Sequence, residues 1–163
     1  MKVLVAYFSK TGNTKKVAQA IHDTLDVPTD MLSFDDVSFP DEYDLIFCGF
    51  PVHAHSVPPR VQTFISRLPK NKKVALFSTH GSRRNNQMAR AAVEHAASLA
   101  IGRTVLGAFA CRGQVDHALL DELTHKQEHE AWCNEARSAD GHPNKGDLAD
   151  AADFARLILA RAR

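Results

Sequence analysis

A short polar segment near the N-terminus combines the residue types that bind a phosphate group. It follows an apolar run at residues 3–8 and precedes a helical pattern that begins at Asn13. A turn between a strand and a helix brings free backbone N–H groups and the positive end of the helix to one point. Hydroxyl and amide side chains add donors, and Gly12 lets the backbone approach a ligand closely. The segment therefore predicts a site for a single phosphate monoester. Its members are Ser9, Lys10, Thr11, Gly12, Asn13 and Thr14.

The spacing within this segment excludes two better-known phosphate loops. A Walker loop requires G-x-x-x-x-G-K-[ST], and a dinucleotide fingerprint requires G-x-G-x-x-G. Residues 9–14 contain one glycine and match neither pattern. The competing interpretation is an ordinary Ser- and Thr-rich turn that caps a helix and binds nothing.

Strand and helix patterns alternate along the chain and predict how this segment is held. Apolar strands are predicted at residues 3–8, 29–33, 44–49, 73–78 and 103–111. Helical patterns lie between them and close the chain at residues 144–163. This alternation is typical of a parallel sheet that is covered by helices on both faces. Ligands bind such sheets beyond the carboxyl ends of the strands. The loops expected to form a site are therefore residues 9–14, 50–57, 78–83 and 111–116.

Length, charge and cysteine content limit the class of protein. The 163 residues predict a single domain over 1–163, in which residues 112–142 form an extended connection with an extra helix. The net charge is +1 and no basic block is present, so nucleic acid is not an expected partner. No apolar segment has the length of a membrane span. Three cysteines form no disulfide framework, which predicts reduced thiols and a cytoplasmic location.

The polar segment and two further loops resemble flavodoxins. Residues 9–14 match the [ST]-x-T-G-x-T phosphate loop of that family, directly after a first strand. Residues 49–59 look like the flavin-contacting loop after the third strand, and residues 77–82 resemble the loop after the fourth. The resemblance extends over nearly the whole chain. It implies a flavodoxin-like, doubly wound α/β fold with five parallel strands and a bound FMN, whose phosphate lies in the 9–14 loop. The ring-binding residues it implies are Pro51, Val52, His53, Ala54, His55, Ser78, Thr79, His80, Gly81 and Ser82.

The chain departs from the family pattern in two respects. Many flavodoxins stack the flavin ring between a Trp and a Tyr on the second and third loops, whereas this chain offers His53, His55 and His80 there. A neutral imidazole would stack on the ring, and a protonated one would place a cation beside it. Typical flavodoxins are also acidic and dock basic redox partners, whereas this chain is close to neutral.

The resemblance predicts an FMN-binding redox protein that transfers electrons to a redox partner protein or a small-molecule acceptor. One alternative is an FMN-dependent reductase of quinones or other small molecules. A second alternative is a flavin-free interaction module on the same fold. The residues show no paired carboxylates and no Ser/His/Asp arrangement, so no catalytic residue is predicted and the choice between carrier and enzyme stays open.

A second motif, His125-Lys126-Gln127-Glu128-His129, formally matches the H-x-x-E-H zinc pattern. On one continuous helix, His125, His129 and Cys133 would share a face. A peptidase of that type needs an acidic ligand far downstream, and the last Glu of the chain is Glu135. The motif therefore predicts a polar surface helix without a metal, and Trp132 is predicted to be its packing anchor rather than a residue that stacks on the flavin.

Overall fold

In the computed structural model, which describes residues 1–53 and 56–163, the strands form one parallel sheet. The strand order β2-β1-β3-β4-β5 places β1 beside β3 and β4 between β3 and β5. This arrangement confirms the predicted flavodoxin-like fold, and each strand lies within a few residues of its predicted position. The strands are β1 (Val3–Tyr7), β2 (Thr29–Ser33), β3 (Leu45–Pro51), β4 (Lys73–His80) and β5 (Thr104–Arg112).

Helices cover both faces of the sheet because successive strand residues point in opposite directions. In β1, Leu4 faces the layer that contains the second and third helices, and Val5 faces the layer that contains the first and last. Both side chains are fully buried. Burying an aliphatic side chain of this size contributes about 1.5–3 kcal/mol, so the strands are held mainly by their two apolar faces. The helices are α1 (Asn13–Thr24), α2 (Pro59–Arg67), α3 (Gln87–Leu99), α4 (His117–Thr124), α5 (Glu130–Arg137) and α6 (Lys145–Ala162).

A close approach of two central strands fixes the edge of the sheet from which the loops emerge. Gly49 of β3 pairs with Phe77 of β4, whose ring covers the glycine. A Cβ atom on Gly49 would lie 2.0 Å from the Phe77 Cζ atom, so no side chain fits at that position. The Phe77 ring therefore requires a glycine at position 49 of β3.

The connection between β5 and α6 differs from its prediction. Instead of one helix it contains α4 and α5, joined by a 3-10 turn at Gln127–His129. The two helices pack together, and the Cys133 thiol of α5 lies 3.8 Å from the Leu120 carbonyl of α4. On one helix these residues would be about 20 Å apart, given a rise of about 1.5 Å per residue. The break lets two short apolar faces bury each other.

The buried cysteines follow from the packing. Cys48 lies in β3 within the core, and Cys111 at the end of β5 is also buried. Burial raises the pKa of the Cys111 thiol to about 12, so this thiol stays protonated and unreactive. Within residues 1–53 and 56–163, no helix has both the length and the apolar character needed to cross a bilayer.

Candidate functional site

The loops that follow β1, β3, β4 and β5 meet around a cavity of about 430 Å³ at the carboxyl edge of the sheet. A volume of this size is typical of pockets for small molecules and cofactors. The cavity lies at the edge that the strand pattern predicts for ligand binding. Its lining consists of Ser9, Lys10, Thr11, Asn13, Thr14, Pro51, Val52, His53, Thr79, His80, Gly81, Gly113, Gln114, Val115, Asp116, Leu119 and Trp132.

The loop after β1 presents an uncapped helix end to the cavity. Gly12 adopts the left-handed conformation with φ of 96°, which glycine tolerates without strain, and α1 begins at the next residue. The Ser9 Oγ atom accepts the Gly12 N–H at 3.1 Å, which closes the turn. Among the described residues no side chain caps α1, and its first turn has no acidic residue. The first N–H groups of a helix have no partner within the helix, so they are left to bind an anion.

A buried pair of hydroxyl groups joins this loop to β4. The Thr14 and Thr79 Oγ1 atoms lie 2.9 Å apart, and both residues line the cavity. Only one of the two protons is used between them, so the second hydroxyl keeps a proton that it can donate to a ligand.

The loop after β5 is bound to both of its neighbours. The Asn13 Nδ2 atom donates to the Gln114 carbonyl at 2.8 Å, and the Gly113 N–H donates to the His80 carbonyl at 2.9 Å. A Cβ atom on Gly113 would lie 2.8 Å from Asn13 Nδ2. The Asn13 side chain therefore links the loop after β1 to the loop after β5. The donor that Asn13 can present to a phosphate is its backbone N–H.

The loop after β3 forms the opposite side of the cavity. The Val52 N–H donates to the Thr79 carbonyl at 2.9 Å, and His53 and Ser56 exchange two backbone hydrogen bonds of 3.0 and 2.8 Å. The predicted ring residues Ala54 and His55 lie outside the described residues.

Three predicted site residues that the structure describes do not line the cavity, namely Gly12, Ser78 and Ser82. Ser78 is completely buried within β4, and within the described part of the chain its hydroxyl has no hydrogen-bond partner. Ser82 is also buried, and its carbonyl accepts the Arg112 Nε–H at 3.0 Å. The binding roles predicted for these two serines have no support in the shape of the cavity.

The two described histidines of the site have environments that favour the neutral ring. Burial lowers the pKa of His80, and the nearby Arg112 charge lowers it further, although the hydrogen bond to Ser82 acts in the opposite direction. Burial and the Lys10 charge lower the pKa of His53. Of the two forms considered from the sequence, the structure therefore favours neutral imidazoles at neutral pH.

The contact of His80 also fixes which of its nitrogens is protonated. His80 Nδ1 lies 3.1 Å from the Ser82 carbonyl, and a carbonyl oxygen only accepts, so Nδ1 carries the proton. In the neutral ring, Nε2 is then an acceptor on a residue that lines the cavity.

We expect His80 to make the protein less stable in weak acid. The unfolded chain has a histidine pKa of about 6.5, and the folded pKa is lower. Between these two values the unfolded state binds more protons, so the free energy of unfolding rises with pH and falls on acidification below about 6.5. His80→Asn retains a donor for Ser82 and removes the titration, and should flatten the slope by up to about 1.4 kcal/mol per pH unit. Urea unfolding of both proteins between pH 5 and 8 measures this difference, and parallel slopes would contradict it.

Several residues of the cavity were not predicted as site residues. The sequence placed the loop at residues 111–116 at the correct edge but assigned no function to Gly113, Gln114, Val115 or Asp116. Leu119 and Trp132 belong to α4 and α5, and their contribution follows from how that connection folds back over the sheet. Packing of Trp132 against Leu120, Cys133 and Ala136 confirms its predicted anchoring role, to which the structure adds a place in the cavity wall.

The H-x-x-E-H motif does not form the arrangement considered from the sequence. His125 ends α4, His129 belongs to the 3-10 turn and Cys133 to α5, so the three residues do not lie on one continuous helix. Across residues 1–53 and 56–163, no group of three or more His, Cys, Asp or Glu side chains is placed to hold a metal ion.

Comparison with known proteins agrees with this architecture. The flavodoxin-like domain-containing protein BilS of Clostridioides difficile is 28% identical over 175 residues, which cover 99% of this chain and 98% of the relative. A flavodoxin from the domain Archaea superimposes with a TM-score of 0.65 at 20% identity, over 99% of both chains. A flavoprotein from Lactobacillus acidophilus, solved in complex with FMN, has a TM-score of 0.56 at 21% identity and covers 74% of this chain and 97% of its own. Residues 4–156 match the family described as the flavodoxin domain, and the chain belongs to that family.

Proposed function

We propose that this protein binds FMN in the cavity at the carboxyl edge of the sheet and acts in electron transfer. The observation that carries the proposal is the position of an uncapped helix N-terminus in the wall of a cavity of about 430 Å³. The flavodoxin family of the chain supports it, as does the flavoprotein of similar fold that was solved with FMN.

The residues present fit both parts of the cofactor. At the phosphate end, Ser9 has its hydroxyl proton available because its oxygen accepts from Gly12, and Thr11 is exposed at the rim. Lys10 adds a positive charge nearby. At the ring end, Pro51 and Val52 provide apolar surface, and Gly81 adds no side chain to the wall of the cavity. The cavity thus combines an anion site with an apolar slot, as a flavin phosphate requires.

FMN, when bound, supplies a group that accepts and releases electrons one or two at a time. The protein would hold it in place and set the polarity around it. The hydroxyl pair of Thr14 and Thr79 offers one donor, and neutral His80 offers an acceptor at Nε2. A neutral imidazole adds no charge to the site, so the polarity there would come from fixed dipoles.

A reductase of quinones or other small molecules is the second candidate. The near-zero net charge favours it, because the chain lacks the acidic surface that would steer a basic partner protein. The apolar Leu119 at the mouth of the cavity, whose side chain is exposed, offers a small conjugated molecule a surface on which to pack.

Titration of the flavin-free full chain with FMN tests the proposal. We expect saturable binding of one FMN per chain, with quenched flavin fluorescence and a perturbed visible spectrum. Absence of binding would overturn the proposal and favour the flavin-free interaction module. With FMN bound, reduction in one-electron steps supports the carrier, and turnover of a quinone with a nicotinamide supports the reductase.

A further inference from the structure

The connection between β5 and α6 contributes an aromatic side chain to the cavity from outside the three loops that resemble flavodoxins. Trp132 lies on α5, and its side chain lines the cavity together with Val115 and Leu119. It is the only tryptophan of the chain. The loop segments 51–59 and 78–83 contain no Trp, Tyr or Phe. The large aromatic surface of the cavity therefore comes from α5.

The strand order places this surface across from the loop after β3. Because β4 lies between β3 and β5, the segment at residues 79–81 has one neighbour on each side. Val52 donates to the Thr79 carbonyl from the β3 side, and Gly113 donates to the His80 carbonyl from the β5 side. A planar ligand in the cavity is thus bracketed by these two walls.

The helix that carries Trp132 is fixed to the rest of the site by polar contacts. The Arg112 guanidinium at the end of β5 donates to the carbonyls of Glu135 and Ser138, at 3.2 and 2.9 Å, and also to Ser82 of the β4 loop. The Arg83 N–H donates to the Glu135 carboxylate at 2.6 Å. The Arg83 contact joins α5 directly to the loop after β4, and Arg112 bridges the same two segments from β5, so the position of Trp132 is set relative to the cavity.

Val115 lines the cavity and packs closely against the loop after β4. A Cβ atom on Gly81 would lie 2.4 Å from the Val115 Cγ2 atom, so Val115 can occupy its position only because residue 81 is a glycine. The loop after β5 and the loop after β4 are therefore in close contact beside the cavity.

We propose that Trp132 packs against the flavin ring system and supplies the main aromatic contribution to flavin affinity. The inference rests on the proposed function. An indole that already forms a cavity wall loses little conformational freedom on binding, and aromatic rings gain from stacking beyond their burial. The contact involves the ring and not the phosphate, so it should stabilise FMN and riboflavin equally.

Flavin titrations of the full chain test this assignment with matched variants. We expect Trp132→Ala to weaken the binding of both FMN and riboflavin by about tenfold, and Trp132→Phe to recover most of that loss. Leu123→Ala, which alters the packing of the same connection without lining the cavity, should bind both flavins as the wild type does. Because the chain has one tryptophan, its single indole N–H signal in an NMR spectrum should also shift when riboflavin is added.

The outcomes separate this inference from the proposed function. If the wild type binds FMN and Trp132→Ala binds it with the same affinity and visible spectrum, Trp132 does not contact the ring and the inference fails alone. If the Leu123→Ala and Trp132→Ala variants lose affinity equally, the effect is one of packing and the inference also fails. If the wild type binds no FMN, the proposed function fails and the inference fails with it. Trp132→Phe keeps the test usable if the alanine variant does not fold.

Discussion

Replacing Thr11 by glutamate should abolish most of the affinity for FMN and leave the affinity for riboflavin unchanged. Thr11 is exposed on the loop after β1 and lines the cavity, so a glutamate there would not disturb the core. It would place a negative charge beside the expected position of the phosphate dianion. At a separation of about 5 Å and an effective dielectric of about 40, the repulsion is about 3 kcal/mol, which corresponds to a roughly hundredfold weaker affinity. Fluorescence titration with each flavin measures the effect.

The matched control for this variant is Thr11→Gln, which has the same size and no charge. It should bind FMN far more tightly than the glutamate variant, and raising the salt concentration should reduce the difference between the two. Riboflavin lacks the phosphate, so it separates repulsion of the phosphate from damage to the pocket. Equal FMN affinities for the two variants would show that the phosphate does not bind at this loop.

The sequence predicted the fold because its signals are local and repeated. The strand at residues 44–49 is apolar on both faces, as a central parallel strand must be, and it agrees closely with β3 (Leu45–Pro51). The turn before α1 was equally accessible, because a strand, a glycine-bearing turn and a helix follow one another without interruption; its role in binding a phosphate stays a prediction. Both features depend on residues that are adjacent in the sequence, so they can be predicted without knowledge of the tertiary structure.

The walls of the cavity depend on contacts between distant segments and could only be predicted in part. Asn13 was predicted to bind the phosphate, and the sequence did not show that its side chain bonds to Gln114, which lies 101 residues further along the chain. Trp132 reaches the cavity because α4 and α5 pack as separate helices. The break between these helices has no strong local signal, since residues 125–129 contain neither glycine nor proline.

Asp147 is a second residue whose importance the sequence analysis missed, although a signal was present. Asn144 and Asp147 have the spacing of a capping box, and each side chain accepts the backbone N–H of the other, at 3.1 and 2.9 Å. The Asp147 side chain is completely buried. Besides the Asn144 N–H it contacts His142 Nδ1, at 2.5 Å, and the Arg84 guanidinium, at 3.2 Å. Burial alone would raise its pKa, but these hydrogen bonds outweigh burial and lower it.

This carboxylate is connected to the cavity through the segment that precedes α6. The His142 carbonyl accepts the Gln114 N–H at 2.8 Å, and the Gln114 carbonyl accepts the Asn13 side chain at 2.8 Å. Asp147 therefore supports the loop after β5 through one intermediate, His142, and Asn13 of the loop after β1 through a second, Gln114. Loss of the carboxylate should reduce both the stability of the fold and, more weakly, the affinity for FMN.

Asp147→Ala should lower the free energy of unfolding by about 1.5–3 kcal/mol, because it removes a buried carboxylate that accepts hydrogen bonds from the Asn144 backbone, His142 and Arg84 and completes the capping box of α6. The matched control is Asp150→Ala, which removes the other carboxylate bound to Arg84, at 2.9 Å, from a half-exposed position. A surface pair of this kind contributes about 0–1 kcal/mol. Urea unfolding at pH 7 compares the two variants. Since the folded pKa of Asp147 is lowered, its contribution is present above about pH 4 and is lost as the pH falls through the folded value, so the wild type and the alanine variant should converge in strong acid. Equal stabilities of the two variants at pH 7 would show that Asp147 does not hold this end of α6.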